Sequence, residues 1–296
     1  MGTGDGIYQR AGGKTRHFQG QNADGIPVFG MSVEANRVWI GSSKGLFVLL
    51  DGTISRVPLP PDVGTDVGSV FRDREGRLWI GLITHLLEVK TAPTGPDLAI
   101  ERDWRLTQVW GSIHRLLEDR DSNLWIGTYG GGLYRIANGQ LDRFSNDSGF
   151  LDHRPWGLLE DRGGSLWVGT RSGLARLTDG PAVTFGLQEG LPADISRAVY
   201  EDLDGSILAA TVSGFARIRG KEVRSFTNKD GLPPGVVRGF LRDRRGRLWI
   251  NAESGVVNLK TSSDWPSSRA RPSPCVPAHS RSPARIRDGR PLRIDQ

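Results

Sequence analysis

Apolar residues in this chain fall in short runs, cut every eight to twelve residues by Gly, Asp, Asn or Pro. The runs are rich in Val, Ile, Leu, Phe and Trp, so the pattern predicts short strands joined by tight turns and not helices. One phrase, roughly Asp-x-x-Gly-x-Leu-Trp-Ile-Gly-Thr, returns along the sequence. Its clear copies run over 73–81, 119–128, 161–170, 202–211 and 243–251, with an abbreviated first copy ending Val38-Trp39-Ile40-Gly41. From Trp39 through Trp79, Trp125, Trp167, Leu208 and Trp249 the steps are 40, 46, 42, 41 and 41 residues. A period near forty holds four strands of about five or six residues with their turns, which is one blade of a propeller. The predicted fold is therefore all-β, a β-propeller of six to seven four-stranded blades.

Within a copy such as Asp73-Arg74-Glu75-Gly76, the Asp opens a turn by bonding its own backbone and the Gly closes it in the left-handed conformation. The Asp, Gly and Trp residues of the phrase are thus expected to be structural. The stretch 195–226 reads as one blade, with Ile195–Glu201 innermost, Ser206–Thr211 second, Gly214–Ile218 third and Glu222–Phe226 outermost. Four residues before each turn Asp stand Ser69, Arg115, Gly157, Ala198 and Gly239, mostly small, as crowding near a propeller axis requires. The next two positions are apolar in every copy, which predicts strands covered on both faces by neighbouring blades. Counting Gly2, Gly41, Gly81, Gly127, Gly169, Ala210 and Asn251 gives seven second strands against six visible innermost strands. That count predicts a ring lacking one strand, or a slice of a longer array. Residues 82–110 read as an insertion.

The spacing Phe185-x-x-x-x-Gly190-Leu191-Pro192, an innermost strand, Glu201-Asp202 and a Gly turn, restated by Phe226, Gly231-Leu232-Pro233 and Leu248-Trp249-Ile250, resembles the two-component regulator propeller repeat. The resemblance covers residues 1 to about 260 with the copies in phase. It departs at Ile207-Leu208-Ala209-Ala210, where the Trp and Gly are lost. Such a resemblance implies the extracytoplasmic sensing part of a membrane-bound histidine kinase or diguanylate cyclase, periplasmic in the parent family. It also implies a small-molecule ligand, a carbohydrate in some members, and a downstream transmitter module that this sequence does not contain, and it leaves room for a dimer of the parent receptor.

Composition changes this picture little over residues 1–260. The whole chain is 37% hydrophobic, residues 1–260 are long enough for one propeller domain, and no apolar run approaches a membrane span. The first residues carry no signal-peptide pattern, which as written predicts a cytoplasmic polypeptide. Residues 261–296 are Ser-, Pro- and Arg-rich and are expected to be a disordered tail, of a composition that a G+C-rich gene also yields out of frame. Seven arginines against three aspartates there carry +4 of the chain's formal +6, so the basic balance is no argument for nucleic-acid binding.

Catalytic chemistry is thin. The five histidines share no metal-ligand spacing, Cys275 is alone, and no phosphate-cradling loop occurs, so no catalytic residue, metal or cofactor is expected. Glu118, Glu160 and Glu201 all stand just before a turn Asp, and such repetition points to framework and not to a glycosidase pair. One position does vary: five residues before the turn Asp stand Gly68, His114, Trp156, Arg197 and Arg238, with Trp110 and Arg154 in the adjoining loops. Trp110, His114, Arg154, Trp156, Arg197 and Arg238 are the candidate ligand-binding set, a mixture suited to stacking on a sugar ring and bonding its hydroxyls or carboxylates. A ligand-sensing propeller is the leading expectation. A protein-interaction scaffold and a propeller-fold glycan hydrolase or lyase are the alternatives.

Overall fold

The computed structural model describes residues 2–3, 6–11, 14–18, 27–34, 36–92, 94–107, 109–144, 154–178 and 182–259. The predicted tail of 261–296 lies outside these residues. The chain divides into two compact units, Met1–Asp142 and Arg143–Gln296.

In the first unit, β1 (Gly2–Thr3), β2 (Gly6–Ala11) and β3 (Lys14–Phe18) form a three-stranded sheet. Next come β4 (Val28–Glu34), β5 (Arg37–Ser42), β6 (Gly45–Leu50) and β7 (Thr53–Val57), then β8 (Ser69–Arg72), β9 (Leu78–Gly81), β10 (His85–Thr91) and β11 (Leu98–Arg105). The fourth sheet is β12 (Ile113–Glu118), β13 (Leu124–Thr128), β14 (Gly132–Ala137) and β15 (Gln140–Phe144). The second unit holds β16 (Gly157–Glu160), β17 (Leu166–Thr170), β18 (Gly173–Leu177) and β19 (Val183–Phe185), followed by β20 (Ser196–Glu201), β21 (Ile207–Thr211), β22 (Gly214–Arg219) and β23 (Glu222–Phe226). A three-stranded sheet of β24 (Val237–Arg242), β25 (Leu248–Ala252) and β26 (Gly255–Leu259) ends the described chain. Every sheet is an antiparallel meander, and the blade expected over 195–226 is found with its strands displaced by no more than a residue at their ends. The insertion at 82–110 is a hairpin, β10–β11, longer than its counterparts and carrying a bulge between Glu88 and Val89.

Most of the turns are held by the Asp that opens them. In four copies one carboxylate oxygen accepts the backbone N–H four residues on, as Asp161 does from Ser165 at 2.8 Å, and the other accepts the indole N–H six residues on. Those indole bonds measure 2.8 Å for Trp79 to Asp73, 2.8 Å for Trp125 to Asp119, 2.7 Å for Trp167 to Asp161 and 2.9 Å for Trp249 to Asp243. A tryptophan can be buried only if its N–H finds an acceptor, and the turn supplies one at a fixed offset. The two irregular copies solve the same problem differently. The abbreviated copy has its acid five residues before Trp39, and there a Glu, one methylene longer than Asp, accepts the indole at 2.9 Å. Where Leu208 replaces Trp, the free Asp202 carboxylate is taken in a fork by Arg242 of the following blade, at 2.7 and 2.6 Å.

The residue just before the turn Asp reaches back to the preceding turn. Arg72 meets Glu34 at 2.8 Å, Glu118 accepts the backbone N–H of Arg74 at 2.8 Å, and Glu201 accepts that of Arg162 at 3.0 Å. Glu118 and Glu201 are therefore ties between blades. Glycine in the Trp strand serves the same contact: a Cβ on Gly169 would lie 2.9 Å from the carbonyl oxygen of Ser196 on β20, so the second strand of one blade touches the innermost strand of the next. Leu, Val, Ile and aromatic side chains fill the spaces between consecutive sheets within each unit, Trp167, Phe185, Leu191, Ile207 and Ala209 forming one such cluster.

Candidate functional site

The end of each innermost strand away from the turn carries a device that spacing does not reveal. In β4, β12, β20 and β24 the pairing register slips by one residue, between Val28 and Gly30, Ile113 and Arg115, Ser196 and Ala198, and Val237 and Gly239. The extra residues are Phe29, His114, Arg197 and Arg238. A β-bulge leaves one residue unpaired and re-aims its side chain away from the sheet's regular alternation. Three of the four bulged residues are members of the variable set, and the structure adds Phe29, which the abbreviated first copy hid. In the two remaining copies the strand begins two residues later and the same place is held by a backbone bond, from Gly68 to the carbonyl of Gly81 at 2.9 Å and from Trp156 to that of Gly169 at 2.7 Å.

In the second unit Trp156 and Arg197 come together, the guanidinium carbon 4.6 Å from the centre of the indole ring. Arg197 is exposed and Trp156 half-buried, so the pair presents a cation lying on an aromatic face with solvent beside it. Arg238 lies apart in an ion pair with Glu253 at 2.8 Å, both half-exposed. Arg154 is partly buried in the loop leading to Trp156.

In the first unit Trp110 is 77% exposed, and its ring rests on Gly130, where a Cβ would approach it to 3.2 Å. Tyr129, 43% exposed, lies correspondingly against Gly111 at 2.8 Å, and its N–H is fixed by the carbonyl of Ser112 at 3.0 Å. Two facing loops thus each use a glycine to seat the other's aromatic ring. Tyr129 went unnoticed in the sequence because it follows the Trp strand and not the innermost one. His114 lies nearby in chain, its Nδ1 3.4 Å from the Ser112 carbonyl, and the Arg115 guanidinium donates to the His114 carbonyl at 3.1 Å. Arg115 is the one large residue among the small ones four before the turn. Solvent reaches it, yet enough protein surrounds it that desolvation lowers its pKa from the ordinary arginine value.

These groups are aromatic faces and cations; no carboxylate pair stands among them. The acids at the opposite strand ends are consumed by the turns, and Glu34 is held at about 2 because, against a desolvation that would raise it, Arg37 and Trp39 donate to it and Arg72 adds its charge. No cluster of His, Cys, Asp and Glu able to hold a metal occurs among the described residues.

Residues 109–130, which include Trp110, His114 and Tyr129, match the family model described as the two component regulator propeller. No curated protein matches the sequence. Among solved structures the chain is similar to virginiamycin B lyase from Staphylococcus aureus, at 14% identity over 86% of this chain and 87% of the lyase, with a TM-score of 0.65. It is also similar to PorZ, a surface component of the type-IX secretion system of Porphyromonas gingivalis, at 14% identity over 81% of this chain and 39% of that one, TM-score 0.60. A third is the extracellular domain of a B. thetaiotaomicron protein described as a hybrid two component system, at 16% identity over 90% of this chain and 44% of that domain, TM-score 0.54. The fold class is the β-propeller, and the chain spans less than half the length of that extracellular domain. No helix among the described residues is long and apolar enough to cross a membrane.

Proposed function

We infer, from a chain that carries the two-component regulator propeller repeat, that it is the ligand-sensing propeller of a signal-transduction receptor, acting outside the cytoplasm and coupled to a transmitter module. The observation that carries this reading is the recurring bulge. The framework residues repeat from blade to blade, whereas the bulged position holds Phe29, His114, Arg197 and Arg238, and the equivalent place Trp156. A framework alone would gain nothing from such variety, while a surface that reads a ligand requires it. In the second unit the aromatic face of Trp156 with the cation of Arg197 upon it suits an acidic or neutral sugar, stacked on one face and bonded at its carboxylate or hydroxyls.

The test is thermal stability against a panel of neutral oligosaccharides and uronic acids. A ligand at about a hundredfold its Kd adds about 2.7 kcal/mol, a shift of several degrees for a chain of this size. The Trp156→Ala, Arg197→Ala double variant should lose that shift while its unliganded melting point falls by only a few degrees. Equal stabilisation of both proteins removes the site, and a stable protein complex with no shift from any sugar would establish the scaffold reading instead.

A further inference from the structure

We propose that the first unit contains a second ligand site, at the same strand ends as the Phe29 bulge but formed by the outer strands and the loop after them, that takes a small organic carboxylate with an apolar body. A pocket of about 320 Å³ opens between the β6 end of the β5–β6 hairpin, the end of β7 and the loop that follows it. Leu46 and Val57 form its floor, Pro58, Leu59 and Pro60 its wall, and Arg56 stands in it. That volume lies in the range of small-molecule pockets.

Comparison among the blades explains why a pocket exists here. Val57 lies 18 residues after Trp39, and at the same distance from Trp167 and Leu208 stand Phe185 and Phe226. Both phenylalanines are buried, and the loops behind them close on themselves: Leu191 N–H bonds the Gly186 carbonyl at 2.9 Å, and Leu232 N–H bonds that of Thr227 at 3.3 Å. In the β7 copy a valine replaces the ring, and Pro58, Pro60 and Pro61 have no N–H with which to draw the loop inward. The space that two later blades fill with a phenyl ring and a self-capped loop is left open, with apolar walls.

The position before the ring tells which ligand fits. Thr184 and Ser225 precede the two phenylalanines, whereas Arg56 precedes Val57. Gly45 lets the guanidinium lie over the hairpin, since a Cβ there would come within 3.2 Å of Arg56 Nε. None of the described carboxylates pairs with Arg56; Asp62 in the same loop is turned to Arg105 at 3.8 Å. An exposed guanidinium at the edge of an apolar pocket recognises a carboxylate by a two-pronged hydrogen bond while the rest of the ligand covers Leu46, Val57 and Leu59.

Benzoate and hexanoate are suitable probes, with benzamide and inorganic phosphate as controls, each titrated into the full chain and followed by ligand-observed NMR and thermal shift. Benzoate or hexanoate should bind, benzamide and phosphate should bind at least about tenfold more weakly, and Arg56→Gln should cost a similar factor. Val57→Phe, which restores the ring of the other blades, should abolish binding with Arg56 still present. Arg56→Gln alters an exposed residue and leaves the fold intact, so the proposal remains testable if Val57→Phe does not fold. Trp156→Ala with Arg197→Ala should leave benzoate binding unchanged, which separates this site from the sensing surface. No binding of either carboxylate at about 10 mM, or binding that both pocket variants leave untouched, overturns the proposal.

Discussion

Replacing Glu34 by Gln tests whether the acid of the abbreviated copy does the work of the turn Asp elsewhere. Its carboxylate takes Arg37 Nε and a second guanidinium nitrogen at 2.9 Å each, Trp39 Nε1 at 2.9 Å, Thr91 at 3.2 Å and the Arg72 cation at 2.8 Å. Arg37 is 4% exposed, and breaking one side of a buried ion pair costs roughly 3–5 kcal/mol. Arg37 keeps two bonds at 2.7 Å to the carbonyls of Ala92 and Gly95, and Gln retains one acceptor oxygen, so the expected cost at pH 7 is about 2–3 kcal/mol. The acid side offers an independent check. The carboxyl falls from 4.5 to about 2 on folding, so its contribution is present above about pH 4.5 and is lost as pH drops through 2. The linkage is worth about 3 kcal/mol, of which about 2 is gone at pH 3. Urea unfolding of both proteins at pH 7 and pH 3 should therefore show a gap of about 2–3 kcal/mol closing to about 1 or less. Asp204, held at about 2 by Ser206 and Arg217 against its desolvation, and Asp243, lowered chiefly by the Trp249 indole, titrate in both proteins and cancel. A gap that stays constant between the two pH values would refute the assignment of the ion pair to Glu34.

Three further substitutions probe the framework. Asp161→Ala leaves the buried indole N–H of Trp167 and the N–H of Ser165 without acceptors and should cost about 2–4 kcal/mol in denaturant unfolding, whereas the same change at a solvent-facing Asp should cost under about 0.5. Arg242→Ala removes the guanidinium that forks the Asp202 carboxylate, whose side chain is 6% exposed, and should cost about 3 kcal/mol in denaturant unfolding at pH 7. Gly169→Ala pushes a methyl against the Ser196 carbonyl and should lower stability by about 1–3 kcal/mol by calorimetry, although Ala210 stands at the equivalent place one blade on; equal melting points would mean that the strands can part there without cost.

The fold was legible because its stabilising bonds are local and repeated. The turn Asp, the Trp six residues later and the Gly that admits the next blade all lie within one short phrase, so the period and the strand order could be read directly. What could not be read depends on register or on distant residues. The bulges at His114, Arg197 and Arg238 are slips of pairing that alternation does not encode, and the fork from Arg242 to Asp202 spans forty residues of sequence. Glu34 escaped notice because the copy is one residue short, and only the geometry shows the longer side chain making up the difference. At the candidate site the variable position was visible as a column of unlike residues, but that Arg197 lies on Trp156 is seen only in the structure. Tyr129 and Phe29 were missed, since one lies on a different strand and the other in the copy with the weakest match.

The tryptophans themselves can report where a ligand binds. Trp39, Trp79, Trp125, Trp167 and Trp249 donate their indole N–H to turn carboxylates, while Trp156 lies against the bulged Arg197. In a 15N-labelled sample titrated with the best-stabilising sugar, the indole resonance of Trp156 should move and the five turn indoles should stay in place. Shifts confined to the turn indoles, with Trp156 unmoved at saturation, would contradict a ligand surface at the bulged strand ends.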